Sequence, residues 1–134
     1  SWNRRKALFH LAEKLGYNKI AFGHHLDDIT ETILLNLFFR GEIGAMRPKQ
    51  VLFDGKITVI RPLAYEKEAT IVKFAKVHKL KNLCRYQCPH SANTKRASMK
   101  RLLSKLEKEN PSVKINIFKS LQNIKENYLL DYPE

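Results

Sequence analysis

A chain of 134 residues makes one domain at most, large enough to bury a modest core. No apolar run approaches the roughly 20 residues that cross a bilayer, and the opening SWNRRKALFHLAEKLG is charged, without the apolar stretch of a secretory leader. The expectation is a soluble, cytoplasmic, globular protein with no membrane partner, and a net charge of +12 (25 Lys and Arg against 13 Asp and Glu) turns attention to polyanions.

The first element is an amphipathic helix with Leu8, Leu11, Ala12 and Leu15 on one stripe, stopped by Gly16. It starts almost at residue one, with neither a cap nor a leading strand, so the sequence is expected to begin inside a larger domain. Lys19 to His24 follows as a short buried strand. From Asp27 the pattern turns helical, with Ile29, Ile33, Leu34 and Leu37 on one stripe and Leu35 and Phe38 beside it; a helix this apolar is expected to be largely buried. Gly41 and Gly44 end it. QVLFDGKITVIRPL reads as a hairpin turning at Asp54-Gly55, with Arg61-Pro62 stopping its second strand. Glu66 to Leu80 is a helix with Ile71, Phe74, Ala75 and His78 on its inner stripe. After the loop CRYQCPHSAN, Thr94 caps a helix with Met99, Leu102, Leu103 and Leu106 inward and its bases outward. Asn110 and Pro111 supply a cap and a first-turn proline for a last helix, with Ile117, Leu121 and Ile124 inside. This order fits an α/β class: part of a parallel sheet domain over residues 1–83, with a cysteine loop and a basic helical tail over residues 84–134.

The positive charge is concentrated. Eleven Lys and Arg stand between Lys73 and Lys108 against a single acid, Glu107, which suits a nucleic acid backbone, whose counterions are released as phosphates are neutralised. A solvated lysine-rich surface is the plain alternative. The two cysteines, Cys84 and Cys88, lie in the loop before this basic helix. They are too few for a secreted disulfide framework and point to a reducing compartment. Thiolates suit zinc or an iron–sulfur cluster, but two cannot complete either site, and two ordinary buried thiols are the alternative.

The densest chemistry is in FGHHLDD. In open parallel sheets ligands sit beyond the carboxyl ends of the strands, where Gly23 would let a ligand approach and His24 and His25 emerge. One carboxylate at the following helix start is ordinary capping. The pair Asp27 and Asp28 after two histidines exceeds that need, and suits Mg²⁺ on nucleotide phosphates or acid–base work.

GHHLDD with ETILLNLFFRG, then IRPLAYEKEATIVKFA, then QCPHSANTKR with LEKENPSVKINIFKSLQNI, resembles the PP-loop ATPase superfamily. Within it the likeness is to tRNA 2-thiolation enzymes of the 2-thiocytidine and 2-thiouridine types, and it runs from about Asn3 to Leu129. The resemblance implies a Rossmann-like fold of the adenine nucleotide α-hydrolase type. It implies an activity in which ATP adenylates a tRNA base before sulfur, from a donor protein or sulfide, replaces oxygen. Gly23 and His24 then match the strand end against the nucleotide. Asp28, with Asp27, matches carboxylates associated with Mg²⁺ and the reacting base. Arg4 matches a basic position that steadies developing charge. Arg61 belongs to the family's RPL signature, as a cofactor-binding residue or as an ion pair closing the sheet. Cys88 matches the third ligand of a [4Fe–4S] cluster, whose other two come from a CxxC before the position of Ser1. Cys84 departs from the family's spacing. Lys95, Arg96, Lys100 and Arg101 would hold tRNA phosphates, with Tyr86 and His90 available to stack on a base. Family members are often dimers.

The family's SGGxDS phosphate loop and the upstream CxxC do not occur here. The resemblance therefore implies the C-terminal part of a longer enzyme, inactive alone. The rival readings are a lysidine synthetase or amidotransferase-type ligase of the same superfamily, a metal-dependent phosphohydrolase using His24, His25, Asp27 and Asp28, and a non-catalytic tRNA-binding module.

Overall fold

The computed structural model describes residues 2–80 and 94–130; Cys84, Tyr86, Cys88 and His90 lie outside the described residues. The described elements are α1 (Trp2–Lys14), β1 (Lys19–Ala21), α2 (Leu26–Arg40), β2 (Lys49–Leu52), β3 (Ile57–Ile60), α3 (Glu68–Val77), α4 (Lys95–Glu109), α5 (Val113–Ser120) and a final 3-10 turn at Glu126–Tyr128. Chain contacts divide the molecule into two compact units, Ser1–Ile29 with Met46–Tyr86, and Thr30–Ala45 with Gln87–Glu134. The first turn of α2 belongs to the first unit and its remainder to the second.

In the first unit, α1 ends as Gly16 requires. Gly16 takes φ +72°, its N–H donates to the Glu13 carbonyl at 3.1 Å, and Tyr17 N–H reaches back to the Ala12 carbonyl at 2.8 Å. These two bonds make a Schellman stop, which satisfies the carbonyls a helix end leaves open. The stripe expected to be inward is largely outward: Ala12 is buried, but Leu11 and Leu15 are more than half exposed.

The sheet is mixed, not purely parallel, in the order β1-β3-β2. β1 runs parallel to β3, Ala21 opposite Ile60, and β2 runs antiparallel to β3, Leu52 opposite Ile57. Ile57 and Val59 of β3 are buried, alternating with half-buried neighbours as the period of two requires. The hairpin turns at Asp54-Gly55, both with positive φ and closed by Lys56 N–H to the Phe53 carbonyl at 3.1 Å, as a type I′ turn needs. β1 is shorter than the expected Lys19–His24. Phe22 N–H still bonds the Ile60 carbonyl at 2.9 Å, but β3 then runs into Arg61-Pro62, where Pro62 has no N–H to extend the sheet.

In the second unit, α4 starts at Thr94, whose Oγ1 accepts the Ala97 N–H at 3.1 Å. Its inward side joins Met99 and Leu103 to Leu34 of α2, with Leu35, Leu102 and Ile117 packed around them. α5 begins later than Asn110-Pro111 suggests. Asn110 Oδ1 accepts the Ser112 N–H at 3.0 Å, so this asparagine shapes the turn and Ser112 becomes the N-cap. The expected burial of α2 holds for Ile29, Ile33 and Leu34 and fails at its last turns, where Leu37, Phe38 and Phe39 are exposed. Among the described residues no helix is long and apolar enough to cross a membrane.

Candidate functional site

The corner GHHLDD lies where β1 leaves the sheet, at the carboxyl ends of the parallel pair. Gly23 has an ordinary φ, and a Cβ placed on it would meet nothing within 4 Å. Neither turn geometry nor packing demands glycine, and the space beside it is open to a ligand. The His24 ring lies 5.5 Å from that of Phe22.

His25 and Asp28 close the start of α2 on each other. His25 N–H donates to Asp28 Oδ2 at 3.1 Å, Asp28 N–H donates to His25 Nδ1 at 3.4 Å, and the His25 carbonyl takes the first helical bond, from Ile29 N–H at 3.1 Å. This is a capping box with histidine in place of the usual serine or threonine. It holds the Asp28 carboxylate through the His25 N–H and the Asp28 backbone through the His25 ring, with about a quarter of the Asp28 side chain left to solvent.

Asp27 is committed differently. Its side chain is buried, and Oδ2 accepts the Glu68 N–H at 2.7 Å. Lys67, the N-cap residue of α3, gives no side-chain cap of its own, so Asp27 serves as that helix's cap from a distance in sequence. Leu26 N–H adds a bond to the Glu66 carbonyl at 2.9 Å. Of the two adjacent carboxylates, Asp28 is therefore the one presented outward.

Arg61 follows β3 directly and is 6% exposed. Nη1 donates to the Arg47 carbonyl at 2.5 Å, and Nε is buried with no hydrogen-bond partner among the described residues. Among the described residues no acidic side chain is paired with Arg61. Burial, then the like charge of Arg5, push its pKa below the ordinary guanidinium value. Arg4 is exposed on the first turn of α1, and no ion pair among the described residues joins it to Asp28.

The basic residues of α4 divide by role. Arg96 Nη1 meets the buried Glu31 carboxylate at 3.1 Å and Nη2 bonds Thr32 Oγ1 at 3.1 Å, so Arg96 ties α4 to α2. Lys95 Nζ lies 4.5 Å from the centre of the Phe39 ring. Lys100 and Arg101 instead line a groove of about 530 Å³ along α4 with Ala97, Ser104, Lys105 and Lys108. Lys105 and Lys108 stand outside the expected contact set, although their helical spacing from Arg101 places them on the same face. A cavity of about 610 Å³ with Phe9, Tyr17 and Phe53 in its wall sits in the first unit by Asn18 and Ile57, where the strands begin. It holds none of the corner residues.

Among the described residues no three His, Cys, Asp or Glu side chains group to hold a metal, which removes the geometry needed for a His24–His25–Asp27–Asp28 metal site. Mg²⁺ on a nucleotide needs less, because phosphates and water complete its shell around one or two carboxylates, and Asp28 fits that part. A [4Fe–4S] cluster does not fit this chain alone, which has two cysteines for the three the resemblance implies.

A family model for the PP-loop domain matches residues 3–105. The chain belongs to this PP-loop family. Its PP-loop likeness extends to curated proteins named tRNA-cytidine(32) 2-sulfurtransferase. It is 48% identical over 130 residues to that of Geobacter sulfurreducens, covering 96% of this chain and 50% of the relative. It is 46% identical over 130 residues to that of Geotalea uraniireducens, covering 96% and 51%. The chain thus spans about half the length of these relatives. Among solved structures it is similar to a U34-tRNA thiolase from Methanococcus maripaludis, which carries a [4Fe–4S] cluster. The TM-score is 0.71 at 23% identity, over 90% of this chain and 40% of that one, a likeness of fold.

Proposed function

We propose that this PP-loop chain is part of an ATP-dependent enzyme that thiolates tRNA, activating a base by adenylation so that sulfur can replace its oxygen. The observation that carries this reading is the 48% identity to a tRNA-cytidine(32) 2-sulfurtransferase across 96% of the chain. The corner supports it: an open face at Gly23, and one carboxylate held by its own capping box. In this reading Gly23 and His24 lie against the nucleotide, and Asp28 holds its Mg²⁺ and faces the reacting base. Mg²⁺ supplies charge neutralisation at the phosphates. Asp27 keeps α3 in register behind Asp28, and Arg4 offsets negative charge that develops as the base is activated. The α4 groove, with Lys100 and Arg101, takes the tRNA backbone. Cys88, and with it Cys84, contributes to a cluster only together with ligands from outside these 134 residues, and the isolated chain does not turn over. Sulfide or a donor protein supplies the sulfur, and the enzyme acts in the cytoplasm as a homodimer.

The test is a chimaera in which residues 1–134 replace the matching half of the Geobacter sulfurreducens protein. It is incubated with ATP, sulfide and unmodified tRNA, and the digested RNA is read by mass spectrometry. Formation of 2-thiocytidine, lost in Asp28→Ala while tRNA still binds, is the expected result. A folded, tRNA-binding chimaera that forms no thionucleoside overturns the reading.

A further inference from the structure

The cavity of the first unit lies where the strands begin, at the end of the sheet opposite the Gly23 corner, between α1, the turn into β1 and the tip of the β2–β3 hairpin. Its volume of about 610 Å³ is within the roughly 300–1,000 Å³ of small-molecule sites. Phe9, Tyr17 and Phe53 stand in its wall, and Tyr17 and Phe53 are more than half exposed, so aromatic area faces water where burial would be favourable. Phe53 keeps its place at φ 53°, a backbone region that bulky side chains rarely adopt, with its ring edge-on to Phe9 at 5.5 Å. Strain of this kind persists where neighbours hold it, and it gathers at ligand clamps. The polar lining is uncommitted: among the described residues no hydrogen bond or ion pair engages the side chains of Lys6, His10, Glu13, Asn18 or Lys56. Two lysines against one glutamate leave the cavity positive.

We propose that this cavity binds one nucleotide unit, its base stacked against the aromatic wall and its phosphate on Lys6 and Lys56. Aromatic faces accept any base, and ammonium groups take a phosphate as point charges. Asn18 carries both a donor and an acceptor for a base edge, and Glu13 accepts from an exocyclic amine. A purely apolar ligand would leave the lysines unmatched, and an inorganic anion would leave the aromatic wall in water. The site is separate from the Gly23 corner and needs no part of the thiolation reading. A free nucleotide and a nucleotide within single-stranded RNA share this chemistry.

The experiment is calorimetric titration of the chain with AMP at low salt, beside adenosine, which lacks the phosphate, and ribose 5-phosphate, which lacks the base. AMP is expected to bind at least about tenfold more tightly than either part, since stacking and the charge contacts each contribute a factor of that order. Tyr17→Ala and Lys56→Ala change exposed side chains, and each is expected to weaken AMP about tenfold. Asp28→Ala, at the other end of the sheet, is expected to leave this affinity unchanged. No AMP binding, binding indifferent to both Tyr17→Ala and Lys56→Ala, or binding lost in Asp28→Ala overturns the site. Ribose 5-phosphate equal to AMP overturns it too, by reducing it to a pair of surface lysines. Competition with single-stranded tetraadenylate separates the sources: displacement of AMP assigns the site to RNA, and AMP binding that resists displacement assigns it to a free nucleotide. The same titration of the chimaera is expected to retain the component sensitive to Lys56→Ala. Its loss there would mean that the other half of the longer protein fills the cavity, which also overturns the proposal. A chimaera that fails to thiolate while AMP still binds in this way counts against the proposed function and not against this site.

Discussion

Asp27 accepts the backbone N–H of Glu68 at 2.7 Å, across 41 residues of sequence. The carboxylate satisfies a donor that α3 cannot satisfy locally, because Lys67 has no capping side chain. Asp27→Ala is expected to lower stability by about 1–2 kcal/mol, the usual cost of a lost cap, with faster hydrogen exchange at the first amides of α3. Asp27→Asn keeps an acceptor and should recover most of the loss. Equal stability of wild type and Asp27→Ala in urea titration would show that α3 does not depend on this bond.

Arg96 and the α4 groove should separate cleanly. Removing Arg96 leaves the buried Glu31 carboxylate without its guanidinium, and since Arg96 is itself partly exposed the expected cost is about 1–3 kcal/mol. Its effect on RNA should follow stability alone. Lys100→Ala and Lys105→Ala should each leave stability within about 0.5 kcal/mol and lower the slope of log K against log salt by about 0.7–0.9. Fluorescence anisotropy with tRNA over a salt series reads this. Equal slopes in Lys100→Ala, Lys105→Ala and wild type would place the RNA elsewhere.

Leu103 is 1% exposed and joins α4 to Leu34 of α2. Leu103→Ala is expected to cost about 2–5 kcal/mol by lost transfer energy and the cavity left behind. Leu106→Ala, at a half-buried position on the same helix, should cost clearly less; a reversed order in chemical denaturation would contradict the packing described.

Phe53 sits at φ 53°, strained for an aromatic residue, while its ring meets Phe9 edge-on at 5.5 Å. Phe53→Gly relieves the backbone and forfeits the ring contact, two effects of about 1 kcal/mol that oppose each other. The net change should lie within about 1 kcal/mol. In Phe9→Ala, where the contact is already gone, the same glycine should stabilise. A double-mutant cycle with no coupling would rule out the contact.

Features set by neighbouring residues are legible in the sequence itself. Gly16, Asp54-Gly55 and Thr94 each stop or start an element through bonds reaching five residues or fewer, and each does so as expected. Asp27 reads locally as one of two equivalent carboxylates, because its partner Glu68 is distant in sequence. Periodicity identifies the apolar face of α1 but says nothing about what covers it, and Leu11 and Leu15 are exposed. Arg96 and Lys100 look alike as letters; only the position of Glu31 distinguishes a structural base from one lining the groove.

The strand order β1-β3-β2 carries a kinetic consequence. β2 and β3 meet through a four-residue turn, whereas β1 must wait for a partner whose Thr58 faces Lys19 across α2 and the hairpin turn. Loop closure over that span is slow compared with zipping a hairpin. The β2–β3 pair should therefore be formed in the rate-limiting barrier and the β1 contacts largely after it. Substitutions at Val59 that weaken the hairpin would then slow folding, and those at Ile20 would chiefly speed unfolding. The edge carrying Gly23 and Arg61 would be among the last parts of the chain to take shape.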